Sequence, residues 1–324
     1  MAHAIRVNEV GGPEVLEWEE VEVGEPGPGE IKIRHHAVGL NYIDVYFRTG
    51  AYPAAGVPFT PGMEAAGEVV AVGADVDYLK LGDRVAYAGA IGSYSTERNA
   101  PADKMVKLPD AISYEQGAAM MLQGMTTRYL LRKTYNVTSD TTLLFHAAAG
   151  GVGLLACQWA AHLGATIIGT VGSEEKAKLA RDNGCTHTIL YRDENFVERV
   201  KELTNGEGVD VVYDAIGKDT FPASLDCLKP FGLWASFGAS SGPIEDFNIG
   251  ILAPKGSLYA TRPTLFTYVN KREDLLETAQ DLFDVVEQGH VKITINQTYD
   301  LKDAAQAHKD LEARKTTGST ILIP

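Results

Sequence analysis

The run Phe145-His146-Ala147-Ala148-Ala149-Gly150-Gly151-Val152-Gly153 constrains this chain more than any other stretch, because it reads as a strand emptying into a tight glycine turn that opens a helix. Thr142 to Phe145 is apolar enough for a buried parallel strand, and Val152 to Leu163 forms a helix whose first N–H groups can face an anion. Gly150 and Gly151 let the backbone approach a ligand closely, and Gly153 lets helix pack on strand. A pyrophosphate fits such a turn. The dinucleotide fingerprint usually has Gly where Ala148 stands, so the bare pattern also matches a buried glycine-rich turn with no ligand.

The residues that follow extend the pattern. Gly164 sits where a helix ends, and Ala165 to Val171 reads as a second strand. A helix from Glu174 to Asn183 stops at Gly184, Thr186 to Leu190 makes a third strand, Asp193 caps a helix to Thr204, and Val209 to Asp214 makes a fourth strand. Helix Lys218 to Cys227 and strands Gly232 to Gly238 and Ser257 to Thr261 follow. Such alternation specifies a doubly wound parallel sheet with helices on both faces, an α/β fold.

Thr141 to Ser173 carries no Asp, Glu, Lys or Arg, yet six glycines with His146, Gln158 and His162 interrupt it, so no ~20-residue membrane span is expected. Met1-Ala2-His3-Ala4-Ile5-Arg6 lacks the apolar stretch of a secretory signal, which makes a cytoplasmic address the expectation. Cys157, Cys185 and Cys227 are odd in number and widely spaced, and read as small buried apolar side chains. A formal charge of −14 without any Lys/Arg block argues against nucleic-acid binding.

The first 120 or so residues have another texture, with short alternating strands punctuated by Gly and Pro. Glu30 to Val38 alternates with period two after the turn cluster Pro26-Gly27-Pro28-Gly29, and Gly67 to Gly73 and Asp83 to Tyr87 are further strands. An irregular β-barrel is expected there. The tail adds a helix Arg272 to Gln288 and a strand Thr320 to Ile323, so residues 1–122 and 263–324 are assigned to one domain and 123–262 to an inserted nucleotide-binding domain. Lys255 to Thr261 reads as an edge strand of the nucleotide sheet, and an exposed edge invites pairing with its twin in a homodimer.

Five segments in order carry a family resemblance: Gly11-Gly12-Pro13-Glu14-Val15-Leu16, Asn41-Tyr42-Ile43-Asp44-Val45-Tyr46, Pro61-Gly62-Met63-Glu64-Ala65-Ala66-Gly67, Gly82-Asp83-Arg84-Val85 and the 145–153 turn. Along its whole length the chain resembles the medium-chain dehydrogenase/reductase superfamily, and most of all the zinc-free NADPH:quinone oxidoreductases, the zeta-crystallin-like branch. The resemblance implies a GroES-like β-barrel catalytic domain, a Rossmann domain, a cofactor in the cleft between them, and a homodimer.

Where zinc alcohol dehydrogenases of the superfamily place a ligand Cys, this chain has Asn41, and their Gly-His-Glu is here Gly62-Met63-Glu64. Amide and thioether are poor zinc ligands. No cysteine falls between about Tyr87 and Lys107, where a structural zinc lobe would lie, so no zinc is expected. Without a Lewis acid, the reasonable acceptor is one already electron-poor, a quinone or conjugated enone, helped only by hydrogen bonds to the oxygen that gains charge.

Asn41, Tyr46 and Tyr52 are the candidate donors, with Asp44 to orient them or accept bonds, and the resemblance places Tyr42, Ile43 and Tyr46 along the cofactor. Both tyrosines also suit an ordinary core. Counting ~20 residues past the glycine turn, where a ribose-binding acid is expected, lands on Ser173. Val171-Gly172-Ser173 offers no carboxylate, and Lys176 follows one turn later. A hydroxyl, a cation and helix N-terminal N–H groups suit a 2′-phosphate, hence NADPH, although Glu174 and Glu175 lie beside the pocket. The resemblance adds Tyr191 over the adenine or at the same phosphate, Thr126, Thr127 and Tyr129 at the nicotinamide side, and Arg314. Phe237, Gly238, Ala239 and Ser240 end a strand with small residues that let a cofactor approach the carboxyl edge of the sheet. His146 and His162 are expected in the core or at a helix end.

The expected function is NADPH-dependent quinone reduction. An enone, alkenal or enoyl-type reductase remains open, as does a crystallin-like or RNA-binding protein that retains NADPH.

Overall fold

The computed structural model describes residues 1–324. The chain separates into two compact units: Met1–Met125 with Val269–Glu287 and Ile293–Pro324, and Thr126–Tyr268 with Gln288–Lys292. The two main seams lie a few residues from 122 and 263, and the short segment Gln288–Lys292, expected with the first domain, groups with the second unit. The first seam falls inside the helix Tyr114–Tyr129, which has no compositional break to mark it.

In the first unit, β1 (Ala2–Val7) and β2 (Leu16–Val21) form an antiparallel pair. Then come β3 (Glu30–Leu40), α1 (Tyr42–Thr49), β4 (Glu64–Val72), β5 (Arg84–Ala88), β6 (Glu97–Pro101), β7 (Val106–Lys107) and α2 (Tyr114–Tyr129). The period-two pattern in β3 is realised: Ile31, Ile33 and Ala37 are fully buried, whereas Arg34 and His36 face outward. Each such isoleucine contributes about 1.5–3 kcal/mol by leaving water.

The second unit contains β8 (Thr142–His146), α3 (Gly151–His162), β9 (Thr166–Val171), α4 (Glu174–Asp182), β10 (His187–Leu190), α5 (Phe196–Leu203), β11 (Val209–Asp214), β12 (Leu228–Ser236), β13 (Tyr259–Thr261) and α6 (Leu265–Tyr268). All six strands are parallel, in the order β10-β9-β8-β11-β12-β13. Strand order runs outward in one direction from β8 and in the other from β11. The carboxyl ends of these two strands therefore flank the switch point where open α/β sheets bind ligands.

The tail supplies α7 (Arg272–Glu287), β14 (Ile295–Asp300), α8 (Ala304–Glu312) and β15 (Ser319–Ile323) to the first unit. Its sheet order is β14-β15-β3-β4-β5-β7, with β6 also on β3. Thr320 pairs with Leu40, so the C-terminal strand braces the residue just before Asn41.

Several elements depart from expectation. The helix after β10 is capped by Asn195, not Asp193, because the Asn195 side chain accepts from the N–H groups of both Val197 and Glu198. The helix expected over Lys218 to Cys227 shrinks to a 3₁₀ turn at Ala223–Cys227. Pro222 interrupts the segment and has no N–H to donate, and the Asp214 carboxylate takes the N–H groups of Ile216 and Gly217. The last strand starts at Tyr259, not Ser257, because Ser257 has a left-handed φ of 54°. No helix is long and apolar enough to cross a membrane.

Candidate functional site

At the end of β8 the chain turns through Ala147, whose φ is 59°, and enters α3 with Gly150 as N-cap. A Cβ on Gly153 would stand 2.4 Å from the Ala147 carbonyl oxygen and 2.7 Å from the Ala148 carbonyl carbon, so only glycine allows this turn. Ala148, at the position where the fingerprint usually has Gly, is fully buried, and its methyl packs against Gly169 of β9. Gly150, Gly151 and Val152 remain half-buried, and α3 begins at the carboxyl end of β8, beside the switch point. Such a helix start favours an anion.

The end of β9 adds a second cluster. Ser173 caps α4, its hydroxyl accepting from the Lys176 N–H at 3.3 Å. Lys176 is half-buried, whereas Glu174 is exposed and paired with Arg181 at 2.6 Å. Thus one of the two acids beside the expected pocket is neutralised by a neighbour on its own helix. A Cβ on Gly172 would lie 2.9 Å from the Tyr191 hydroxyl and 3.5 Å from Arg192 Nε, so Tyr191 and Arg192 join Gly172, Ser173 and Lys176. Arg192 was not anticipated; a cation directly after the aromatic that ends the third strand is the signal that points to it.

At the ends of β11 and β12 the two loops are laced by backbone bonds: Phe237 N–H donates to Asp214 O, and Ser240 N–H to Ala215 O. Phe237, Gly238, Ala239 and Ser240 are all half-buried there. Beneath them the Asp214 carboxylate accepts from Thr220, Ser224 and Trp234, and Ser224 bonds His146, which also bonds Thr170. Burial holds the His146 pKa down. This is a closed interior network, as expected for His146. Thr127 is fully buried with its hydroxyl 3.5 Å from Val152 O, and Tyr129 stacks on Tyr268 with ring centroids 4.5 Å apart. Thr126 is 9% exposed.

The first unit assembles the other candidates around the start of α1. Asn41 is the N-cap, and its amide is held at both ends: Nδ2 donates to Glu64 Oε2 at 2.6 Å, and Oδ1 accepts from Gln123 Nε2 at 3.1 Å. Gln123 is set in turn by Ser319, whose hydroxyl donates to Gln123 Oε1 at 2.8 Å. Tyr42, Tyr46 and Tyr52 are half-buried neighbours, with ring centroids 5.4 Å apart for the first pair and 4.9 Å for the second. Ile43 is half-buried beside them. Arg314 is exposed at a left-handed φ of 58°, near enough for its charge to act on Tyr42, whose pKa burial raises.

Asp44, expected to orient the donors or accept their bonds, is fully buried. Its Oδ2 accepts from the Asn41 N–H at 2.9 Å and from the Tyr94 hydroxyl at 3.1 Å. Arg48 can only donate, so its 3.0 Å contact with His308 Nδ1 leaves the proton of the neutral ring on Nε2, which donates to Tyr94. Arg48 also grips Glu312 through two 2.9 Å bonds. Burial pushes Asp44 up to about 7 and Glu64 up to about 8, and it drives His308 down to about 3.

The donor set does not fit zinc. The Asn41 amide is engaged at both ends, Met63 presents a buried thioether, and both Glu64 oxygens accept N–H groups, one from Asn41 and one from Leu122 at 2.7 Å. No three His, Cys, Asp or Glu side chains stand together as a metal-holding group.

Two family patterns match the chain: the alcohol dehydrogenase GroES-like domain over residues 27–110, and the zinc-binding dehydrogenase domain over 151–285. With a barrel-type sheet, a doubly wound parallel sheet and a glycine turn at its switch point, the chain belongs to the medium-chain dehydrogenase/reductase superfamily. It is 54% identical to a quinone oxidoreductase of Pseudomonas aeruginosa, over 100% of both chains. A structure of the Escherichia coli quinone oxidoreductase complexed with NADPH superposes with a TM-score of 0.98 at 51% identity, covering 99% of this chain and 100% of that one. A 2-haloacrylate reductase of Burkholderia sp is 44% identical over 100% of this chain and 99% of its own. Within the superfamily, the chain belongs to the quinone oxidoreductase family.

Proposed function

We propose that this protein reduces quinones with NADPH and without a catalytic metal: quinone, NADPH and one proton give hydroquinone and NADP⁺. The observation that carries this is a strand end without a carboxylate, where Ser173, half-buried Lys176, Tyr191 and Arg192 surround Gly172 one strand away from the α3 turn. A turn that only glycine can make, beside a cationic strand end, suits a pyrophosphate and a 2′-phosphate. The NADPH in the Escherichia coli structure and the names of the relatives support the same reading.

NADPH, when bound, supplies the hydride. Gly150, Gly151, Val152 and Gly153 hold its pyrophosphate, and Phe237 to Ser240 with Thr126, Thr127 and Tyr129 are assigned to its nicotinamide half. Tyr42, Ile43, Tyr46 and Arg314 complete the set. Asn41, fixed by Glu64 and Gln123, presents its remaining N–H, and Tyr46 and Tyr52 present hydroxyls, to the quinone oxygen that gains charge. A hydroquinone anion takes its proton from solvent, so no buried acid is required. The homodimer and the cytoplasmic address expected from the sequence belong to this reading.

The double variant Ser173→Asp/Lys176→Ala tests it. Aspartate still caps α4, so the fold is kept while a carboxylate meets the 2′-phosphate. NADPH over NADH selectivity in kcat/KM should fall at least tenfold; unchanged selectivity would reject the pocket. The 2-haloacrylate reductase favours a second reading, hydride transfer to an activated alkene. Steady-state kinetics on quinones, enones and alkenals distinguish the two by which class has the higher kcat/KM.

A further inference from the structure

In the second unit, one chain of side-chain hydrogen bonds crosses the carboxyl edge of the parallel sheet where the backbone ladder stops. The last register pair between β8 and β11 is Phe145 with Tyr213, whereas the flanking ladders run one residue further, to His146 with Thr170 and to Asp214 with Ser236. His146 and Asp214 therefore end their strands at the switch point without a backbone pair between them. Side chains bridge the gap. His146 Nε2 stands 3.0 Å from Ser224 Oγ, and Ser224 Oγ stands 3.0 Å from Asp214 Oδ2. On the other edge of the ring, His146 Nδ1 is 2.9 Å from Thr170 Oγ1.

The direction of each bond is fixed. A carboxylate only accepts, so Ser224 spends its single proton on Asp214 and accepts from His146 Nε2–H. Burial holds His146 below its ordinary pKa, so the ring is neutral near pH 7 and its bare Nδ1 accepts from the Thr170 hydroxyl. All four side chains are buried, and the Phe196 ring packs at 84° to the imidazole plane.

The chain ends in segments assigned to the cofactor. Thr170 leads along β9 into Gly172 and Ser173, and His146 leads directly into the glycine turn. Asp214 holds the far side twice, its Oδ1 accepting from the Ile216 N–H at 2.8 Å and its main-chain oxygen from the Phe237 N–H at 2.8 Å. We propose that His146, on the reading that NADPH is the cofactor, is a positioning residue that keeps the 2′-phosphate end of the site in register with the Phe237–Ser240 end. The two halves of a dinucleotide are linked ligands. Each half keeps its own affinity, but the gain from linking them is lost when both cannot be seated at once. Breaking the chain therefore weakens the whole cofactor and spares a fragment that fills one end.

Calorimetric titration with NADPH and with adenosine 2′,5′-bisphosphate, which carries the 2′-phosphate and no nicotinamide, tests this. His146→Leu should weaken NADPH at least tenfold and the bisphosphate less than threefold. His146→Gln, whose amide nitrogen still reaches Ser224 as a donor, should bind NADPH within threefold of wild type. Should His146→Leu fail to fold, Ser224→Ala carries the same split with a single hydroxyl removed. Thr170→Val and Ser224→Ala act on opposite edges of one ring, so their effects on NADPH should be less than additive in the double variant. Equal weakening of both ligands, or unchanged NADPH affinity in the folded variants, overturns the proposal, because a network that only stabilises the fold treats the two ligands alike. A wild-type protein that does not bind NADPH would instead reject the cofactor reading, and the proposal with it.

Discussion

Asp44 and Glu64 are buried acids whose charged forms are disfavoured by desolvation, and this makes stability depend on pH in a direction opposite to ordinary carboxylates. Their folded pKa values, about 7 and about 8, lie above the usual 3.8 and 4.5. The folded state therefore binds more protons than the unfolded chain, and stability is lost as pH rises through those folded values. Buried His35 and His308, held down at about 3, act oppositely, but only below their ordinary 6.5. Above pH 7 the histidines no longer act against the carboxylates, and buried Cys227, pushed up to about 12, adds a loss in the same direction as unfolded thiols begin to ionise. The melting temperature should fall from pH 7 to about 8.5, and Glu64→Gln should flatten that slope even if it lowers stability at pH 7; an unchanged slope would remove Glu64 as its cause. Ala147 supports a second expectation at this scale. Its φ of 59° places a Cβ in the left-handed region, at a cost of about 1–2 kcal/mol. Ala147→Gly should return part of that and raise the melting temperature, as calorimetry would record.

At the scale of elements, the β8–α3 unit depends on an absent side chain. With backbone atoms 2.4 Å and 2.7 Å from a Cβ on Gly153, nothing flexible can give way. Gly153→Ala should cost about 1–3 kcal/mol of stability and weaken NADPH at least tenfold by moving the first N–H groups of α3, which fluorescence titration measures. Normal NADPH affinity in this variant would separate the turn from cofactor binding. This unit was legible in the sequence because its signals are local: an apolar strand, glycines at fixed offsets and an uncharged helix. The start of α5 was misplaced because Asp193 and Asn195 are both good caps, and only the three-dimensional path decides which side chain meets the free N–H groups. The network behind Asn41 and Asp44 was not legible at all. Tyr94 is 50 residues from Asp44, and His308 is 260 from Arg48, so no spacing rule joins them. The cationic strand end was half legible: Ser173 and Lys176 follow the fingerprint count, while Arg192 reaches Gly172 only because β10 pairs with β9.

For the whole molecule, the proposed homodimer would bring together two chains that each carry a charge of −14. β13 is the last strand of the six-stranded sheet and pairs with β12 on one side only. Tyr259 on it is 62% exposed, and Phe231 of β12, whose N–H donates to Gly256 O just before β13, is 71% exposed. An exposed strand edge with large apolar side chains is a template for a second copy, and a two-fold axis would pair β13 with its twin and bring the same residues of both copies together. Net charge opposes this at long range while apolar burial acts at contact, so the two respond differently to salt. Dimerisation should strengthen as salt rises from 20 to 300 mM, because screening weakens repulsion without touching the apolar contact. Phe231→Glu/Tyr259→Glu should leave a monomer at both salt concentrations, with NADPH binding retained because neither residue belongs to the proposed cofactor set. Light scattering coupled to size exclusion measures both. A wild-type monomer at tens of micromolar in high salt would exclude the pairing, and a dimer that survives the double variant would place the contact on another face.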